Sequence, residues 1–275
     1  MLAASVAAGV TATFGAPIGG VLFSIEVTST YYMVSNLWKA FFCSCWAIFT
    51  FKVLSVVGHV ELFSPVKLVT LQLDYQYFAY AILGILSGFL GTLFINVVAQ
   101  LIFLRTKLKL RYISNRWIAC MSIGLIIALT SFPIDFLRLP ERTILQEMFS
   151  QDPLQTKDKA HWNQPNIIFN LAIFAAIKFT LTTLSLSCPI PAGVFTPTFV
   201  LGAVFGRLYG YVLKLAFGEI INETAYSIIG AASVTSSVTR TISVAMIIFE
   251  INGELSYMIP VLLGVLLSYA ISNSL

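Results

Sequence analysis

The residues best suited to chemistry lie in one stretch, Pro189–Pro197, between two long apolar runs. Within it Pro189 and Pro191 hold the backbone extended, because a residue that precedes proline is pushed out of the α region. We therefore predict that a buried helix begins after these prolines, with Ala192 or Gly193 as its N-cap.

The start of this helix offers backbone amides to an anion. The N–H groups of Val194, Phe195 and Thr196 have no acceptor within the helix, and Gly193 adds no side chain to screen them. Pro197 falls in the first turn, where a missing N–H costs little. These donors and the positive end of the helix dipole predict an anion site. The alternative is a proline-broken membrane helix whose end is covered by protein.

The charge pattern around this stretch agrees with an anion site. No acidic residue lies between Asp158 and Glu219, whereas Lys178, Arg207 and Lys214 are cationic.

The elements that position the stretch must lie in a membrane. The chain has 275 residues, of which 58% are hydrophobic and 10% charged, and its mean hydropathy is +0.89. Such a composition predicts an all-α polytopic membrane protein in a lipid bilayer, with about eight passes or pairs of shorter helices of ~20 residues each. A net charge of +4 without an exposed basic face does not indicate nucleic-acid binding. The apolar stretches lie near 2–25, 37–57, 77–104, 117–132, 166–187, 193–217, 226–249 and 257–272.

The loops between these stretches indicate the orientation. The loop Arg105–Arg116 is basic without one acid, which predicts a cytoplasmic location, or a patch for lipid headgroups or a partner. Residues 133–165 are predicted to form an external loop with a short helix in it. The single N-x-[ST] sequon begins at Asn222, which predicts glycosylation if that turn is extracytoplasmic.

Other side chains do not indicate an enzyme. His59 and His161 lie in different polar loops and are predicted to be solvated loop residues. The cysteines show no C-x-x-C spacing with histidines and are predicted to be small packing residues. We therefore expect no catalytic residue, no metal site and no cofactor. The cysteines are Cys43, Cys45, Cys120 and Cys188.

An internal repeat indicates the architecture. A shift of 224 residues lays Ala7–Thr11 on Ala231–Thr235 and Glu26 on Glu250. Both copies predict a short helix of small residues, a break, and a helix that ends in glutamate. Channels and transporters built from two repeats show such symmetry, with the binding site between the repeats.

Three motifs resemble the CLC family of chloride channels and chloride/proton antiporters. The first is Gly193–Pro197 with its continuation to Arg207, which matches G-x-F-x-P followed by G-A-x-x-G-R. The others are Ala16–Glu26 and Thr241–Gly253. The resemblance covers nearly the whole chain and implies an inverted-repeat helical bundle, in which the amides of Val194 and Phe195 coordinate chloride, the bound and transported ion.

The resemblance also implies a homodimer in which each subunit carries its own pore. The interface helices would lie near 16–33, 35–57, 239–252 and 257–273.

Position 27 bears on the type of transport. Similar antiporters carry a second glutamate after the position of Glu26 as the internal proton acceptor, whereas this chain has Val27, which cannot hold a proton. The resemblance thus implies a voltage-gated type of channel that passes chloride passively, in the plasma membrane. The alternative is a chloride/proton antiporter. Glu26 itself is predicted to be a structural or interfacial carboxylate at a helix end.

Several family motifs do not occur in these 275 residues. They are the G-S-G-I-P and G-[KR]-E-G-P segments, the late-helix tyrosine and the CBS pair. We therefore expect a single partial transmembrane domain with a truncated first repeat over 1–57, a loop over 58–76 and a nearly complete second repeat over 77–273. A truncated, non-conducting subunit that dimerises with a full-length channel is a further alternative.

Overall fold

The computed structural model describes residues 2–28, 34–57, 76–108, 116–151, 154, 162, 166–218, 222–253 and 257–275. All regular secondary structure in these ranges is helical. The predictions for His59 and His161, and most of that for the basic loop, lie outside the described residues. The helices are α1 (Leu2–Phe14), α2 (Pro17–Thr28), α3 (Val34–Val57), α4 (Gln76–Leu108), α5 (Arg116–Ser131), α6 (Asp135–Arg138), α7 (Glu141–Phe149), α8 (Ile167–Leu186), α9 (Phe195–Phe217), α10 (Glu223–Thr239), α11 (Val244–Asn252) and α12 (Met258–Ser274).

Four of these helices, α3, α4, α8 and α9, are long and apolar enough to cross a membrane. Four shorter apolar helices, α1, α2, α5 and α12, accompany them. This agrees with the predicted set of passes and pairs of shorter helices. The predicted stretch near 226–249 is divided between two helices, because the chain breaks after α10.

The two predicted breaks have the same construction. Gly15 follows α1 with φ 72°, and Arg240 follows α10 with φ 53°, both in the left-handed region that ends helices. A hydroxyl then bridges each break, donating to a carbonyl five residues further along the chain. These bonds run from Thr11 Oγ1 to Ala16 O (3.4 Å) and from Ser236 Oγ to Thr241 O (2.6 Å).

Reciprocal carboxylate caps join α2 to α11. The carboxylate of Glu26, near the end of α2, accepts two backbone N–H groups just ahead of α11, and that of Glu250, near the end of α11, accepts two at the start of α2. The two helices are therefore antiparallel, as inverted repeats require, and the prediction that Glu26 is structural is confirmed. The donors are Ile242 N (2.8 Å) and Ser243 N (2.9 Å) to Glu26, and Ile18 N (3.0 Å) and Gly19 N (2.7 Å) to Glu250.

The centre of the bundle is α10, in which every residue from Thr224 to Ser237 is buried. Against it α9 carries glycines every four residues, which lets the two backbones approach closely. A Cβ at Gly206 would lie 2.1 Å from the carbonyl oxygen of Tyr226, and one at Gly230 would lie 2.7 Å from Cα of Gly206. Only glycine fits at this crossing.

Serine hydrogen bonds join α10 to its other neighbours. Ser237 Oγ donates to the carbonyl of Ser87 in α4 (3.1 Å), and Ser272 Oγ of α12 donates to the carbonyl of Ser237 (2.6 Å). Such bonds between helices replace the hydrophobic driving force that is missing in lipid.

The short helix predicted within residues 133–165 is confirmed, and a second short helix precedes it. Residues 135–149 form two helices, α6 and α7, and the second belongs to the core. Four apolar residues of α7, with spacings of one, three and four, lie on one face that packs against α9 and α10. They are Ile144, Leu145, Met148 and Phe149, all at most 2% exposed.

Candidate anion-binding site

The stretch Pro189–Pro197 lies between the end of α8 and the start of α9. After α8 the N–H of Cys188 donates back to the carbonyl of Ser185 (3.1 Å) and closes a turn. The backbone then runs without helical structure until Phe195. The prediction that a helix begins only after the prolines is confirmed.

The N-cap of α9 is Val194, with φ −94° and ψ −29°, so the prediction of Ala192 or Gly193 is wrong by one or two positions. Pro197 explains the difference. It has no N–H to donate to the carbonyl of Gly193, so the first intrahelical bond runs from Thr198 N to the carbonyl of Val194 (3.3 Å).

Three backbone amides at this end have no intrahelical acceptor. They belong to Val194, Phe195 and Thr196, which are half-buried, while Gly193 is exposed. No acceptor among the described residues contacts these N–H groups. They also stand at the positive end of a helix of 23 residues. The arrangement therefore provides oriented donors for an anion.

A cavity of about 390 Å³ adjoins this end. A Cβ built on Gly193 has no heavy atom within 4 Å, so glycine here leaves the cavity open and is not required by packing. The lining comes from α5, α6, α7, α8 and the start of α9. It consists of Ile127, Ser131, Leu137, Glu141, Lys178, Leu181, Thr182, Ser185, Leu186, Ala192, Gly193 and Pro197.

One ion pair lines the same cavity. Lys178 Nζ in α8 lies 2.5 Å from Glu141 Oε1 in α7, and their side chains are 17% and 37% exposed. The carboxylate offsets the ammonium charge, so the net charge of this pair on the cavity is close to zero. Glu141 lies outside the acid-free run, so the charge pattern in the sequence does not indicate this pair.

Two further cations of that run, Arg207 and Lys214, do not lie near this end of α9. Arg207 lies twelve residues beyond Phe195, about 18 Å along an α-helix. Its guanidinium donates to the carbonyls of Met148 (2.5 Å) and Ser150 (2.9 Å) and lies 3.8 Å from the carboxylate of Glu223. Lys214 also pairs with Glu223, at 2.8 Å. Acids from neighbouring helices thus neutralise the cationic charge that sequence analysis assigned to the anion site.

An aromatic cluster fixes α9 against the first pair of helices. The ring of Phe195 meets Phe14 of α1 edge-on at 5.0 Å between centroids and Phe23 of α2 at 5.1 Å, and Phe199 stacks on it at 6.0 Å. Such pairs add about 0.5–1.5 kcal/mol each beyond their buried area. The end of α1 and the middle of α2 therefore pack against the first turn of α9. In the sequence, this cluster is indicated by Phe14 and Phe23 on either side of the Gly15 break and by Phe195 after the prolines.

The remaining predicted residues lie elsewhere. Val27 is 51% exposed at the end of α2. Asn222 is the N-cap of α10, where its Oδ1 accepts the N–H of Thr224 (3.2 Å), and its glycosylation stays a prediction.

None of the four cysteines is fully buried, although they were predicted to be small packing residues. Cys45 is exposed and Cys43 is partly exposed, both in α3. Cys120 and Cys188 come from different elements and contact each other, with their Sγ atoms 4.0 Å apart.

Comparison with known proteins assigns the family. The model of the family described as voltage gated chloride channel matches residues 1–273. The chain belongs to this family. The guinea pig (Cavia porcellus) protein named chloride channel protein 2 is 35% identical over 312 residues, which cover 100% of this chain and 34% of that protein. The chain therefore spans about a third of that relative's length.

Solved structures of the CLC family have the same fold. A crystal structure of a eukaryotic CLC transporter superposes with a TM-score of 0.78 at 33% identity, over 99% of this chain and 43% of that chain. A crystal structure of a CLC-type fluoride/proton antiporter superposes with a TM-score of 0.73 at 21% identity, over 98% of this chain and 62% of that chain. At this identity the similarity shows a shared fold only. The predicted all-helical CLC architecture is confirmed, and the chain is an integral membrane protein.

Proposed function

We propose that this CLC chain forms part of a voltage-gated type of channel through which chloride crosses a membrane passively. The N–H groups of Val194 and Phe195 hold the anion, and Gly193, Thr196 and Pro197 shape the turn around it. The observation that carries this proposal is the open start of α9, where the amides of Val194 and Phe195 have no intrahelical acceptor and the flanking Ala192, Gly193 and Pro197 line a cavity. The relatives named as chloride channels support chloride as the ion.

Two observations favour a channel over an antiporter. Val27 carries no titratable group. The carboxylate of the adjacent Glu26 already accepts two backbone N–H groups, so it serves the contact between α2 and α11. Neither side chain is suited to relay a proton.

Dimerisation belongs to the same proposal. A groove of about 580 Å³ runs between α2, α11 and α12, lined mainly by apolar side chains such as Leu22, Met246 and Leu262. Apolar residues beside it are exposed, among them Ile18 at 47% and Ile259 at 62%. We propose that a second copy of the chain covers this face, with α3 at its margin, and that the dimer lies in the plasma membrane. Size-exclusion chromatography with light scattering in detergent measures the oligomeric state.

Anion binding tests the proposal directly. We would purify the chain in lipid nanodiscs and measure broadening of the ³⁵Cl NMR line in Val194→Pro and Val194→Ala. Proline removes one amide donor, whereas alanine keeps it. Because a hydrogen bond to a charged group contributes about 1.5–3 kcal/mol, chloride affinity should fall by about 10- to 100-fold in Val194→Pro and change little in Val194→Ala. Equal affinity in both variants contradicts the proposed site.

Transport separates the alternatives. Chloride efflux from liposomes is recorded together with the external pH. A passive channel moves chloride without protons, whereas an antiporter moves protons in the opposite direction. Binding without efflux favours the non-conducting subunit, which co-expression with a full-length relative would then test by loss of current.

A further inference from the structure

We propose that Cys120 and Cys188 form a reversible dithiol–disulfide site on the cytoplasmic side of the protein, just ahead of the anion-binding turn. Their Sγ atoms lie 4.0 Å apart although the residues are 68 positions apart in the chain. Cys120 lies in the second turn of α5, and Cys188 in the turn that follows α8. Both side chains are partly exposed at the protein surface.

The position of neighbouring helix ends gives the side of the membrane. Arg105, near the end of α4, donates to the carbonyl of Ser187, directly before Cys188. The end of α4, the start of α5 and the end of α8 therefore meet at one place. Since the basic loop joins α4 to α5 and is predicted to be cytoplasmic, the thiol pair lies at the cytoplasmic side.

This location determines the resting state. Thiols that face the cytosol are kept reduced, and disulfides formed there are usually transient and regulatory. The pair is thus a dithiol at rest and is oxidised when the cytosolic disulfide pool rises.

The oxidant is a low-molecular-weight disulfide such as oxidised glutathione. The thiolate of one cysteine, having lost its proton to solvent, attacks a glutathione sulfur, forms a mixed disulfide and releases one glutathione thiolate. The second cysteine thiolate then attacks the protein sulfur of that bond and releases the second glutathione. In total two protein thiols are oxidised by two electrons and one glutathione disulfide is reduced to two thiols.

The geometry permits the disulfide to form with a small movement of the two sulfur atoms. The Sγ separation must shorten from 4.0 Å to the S–S bond length of about 2.05 Å. Cys188 lies outside a regular helix, so its backbone can shift more readily than that of Cys120. The product ties α5 to the turn that leads, five residues later, to Gly193.

Disulfide mapping tests this proposal. The purified chain in nanodiscs is incubated with oxidised glutathione, remaining thiols are alkylated, and tryptic peptides are identified by mass spectrometry with and without dithiothreitol. We expect an intramolecular Cys120–Cys188 cross-link that dithiothreitol reverses, with at least a several-fold loss of alkylation at both residues. The double variant Cys43→Ser/Cys45→Ser should keep the cross-link, and Cys120→Ser should lose it.

Two results overturn the proposal: alkylation of both residues that is undiminished by oxidised glutathione, or cross-links of Cys188 with Cys43 or Cys45 at equal yield. An unchanged melting temperature and elution volume in Cys120→Ser show that the variant is folded. The mapping does not depend on chloride binding, so it stands or fails separately from the proposed function.

Discussion

Glu26 and Glu250 each cap the start of the helix that carries the other glutamate, and this exchange joins the two halves of the internal repeat. Each carboxylate accepts two backbone N–H groups at a helix start, where negative charge is also favoured by the dipole. The contact between α2 and α11 therefore depends on both carboxylates.

The exchange predicts coupled losses of stability. Glu26→Gln and Glu250→Gln each remove the charge and one acceptor oxygen, and each should lower the free energy of unfolding by about 1–2 kcal/mol. Because both act on the contact between α2 and α11, the double variant should lose less than the sum, with a coupling energy of at least about 0.5 kcal/mol. Denaturant unfolding in detergent measures all three. Asp135→Asn is the control, since the Asp135 side chain is 84% exposed. If the losses of the two single variants add up to that of the double variant, the prediction is wrong.

Three glycines should respond differently to alanine. Gly206→Ala places a methyl group 2.1 Å from the carbonyl oxygen of Tyr226 and forces α9 from α10, so we expect a loss of about 3 kcal/mol or more and poor expression. Gly193→Ala meets open space and should fold normally, while its methyl group narrows the cavity and weakens chloride binding. Gly124→Ala also meets open space, in α5, so it should be at least as stable as the wild type and should leave chloride binding unchanged.

Thermal unfolding and ³⁵Cl line broadening distinguish these cases. A Gly193→Ala protein that binds chloride as tightly as the wild type would show that the cavity at Gly193 is not the path of the ion.

The ion pair beside the cavity should tune anion affinity in two directions. Glu141→Gln leaves the ammonium group of Lys178 without its carboxylate and should raise chloride affinity several-fold, since one positive charge then acts near a partly buried site. Lys178→Met should lower the affinity by a similar factor. The double variant, which restores charge balance, should bind nearly as the wild type does. Chloride titrations at low and high ionic strength measure the change in affinity, which should become smaller with added salt. If Glu141→Gln and Lys178→Met change the affinity in the same direction, the prediction is wrong.

Two cations in α9 should differ in their contribution to stability. Arg207 is 1% exposed and donates to two carbonyls, so Arg207→Met removes a buried donor from both carbonyls and one of the two cations that pair with Glu223, and it should cost about 3 kcal/mol. Lys214→Met removes a partly exposed ion pair and should cost less than about 1 kcal/mol. Unfolding midpoints measure both, and neither variant should alter chloride affinity, because these cations lie far from the start of α9.

The sequence alone determined where the helices break and what the break at α9 exposes. Proline removes a donor and restricts the residue before it, glycine accepts left-handed backbone, and long apolar runs require a membrane. These effects act within a few residues, so the start of α9 near Gly193 and the break at Gly15 were predicted correctly. The absent N–H of Pro197 also explains why Val194 is the N-cap.

Only the tertiary structure decided which groups meet. Glu141 reaches Lys178 across 37 positions and Cys120 reaches Cys188 across 68, and no local pattern marks either pair. The acid-free run predicted a cationic surrounding for the anion site, yet Glu141 and Glu223 enter from other helices and neutralise it. Charge interactions depend on distance in space, and the path of the chain through the bundle, set by the packing of small residues between α9 and α10, determines that distance.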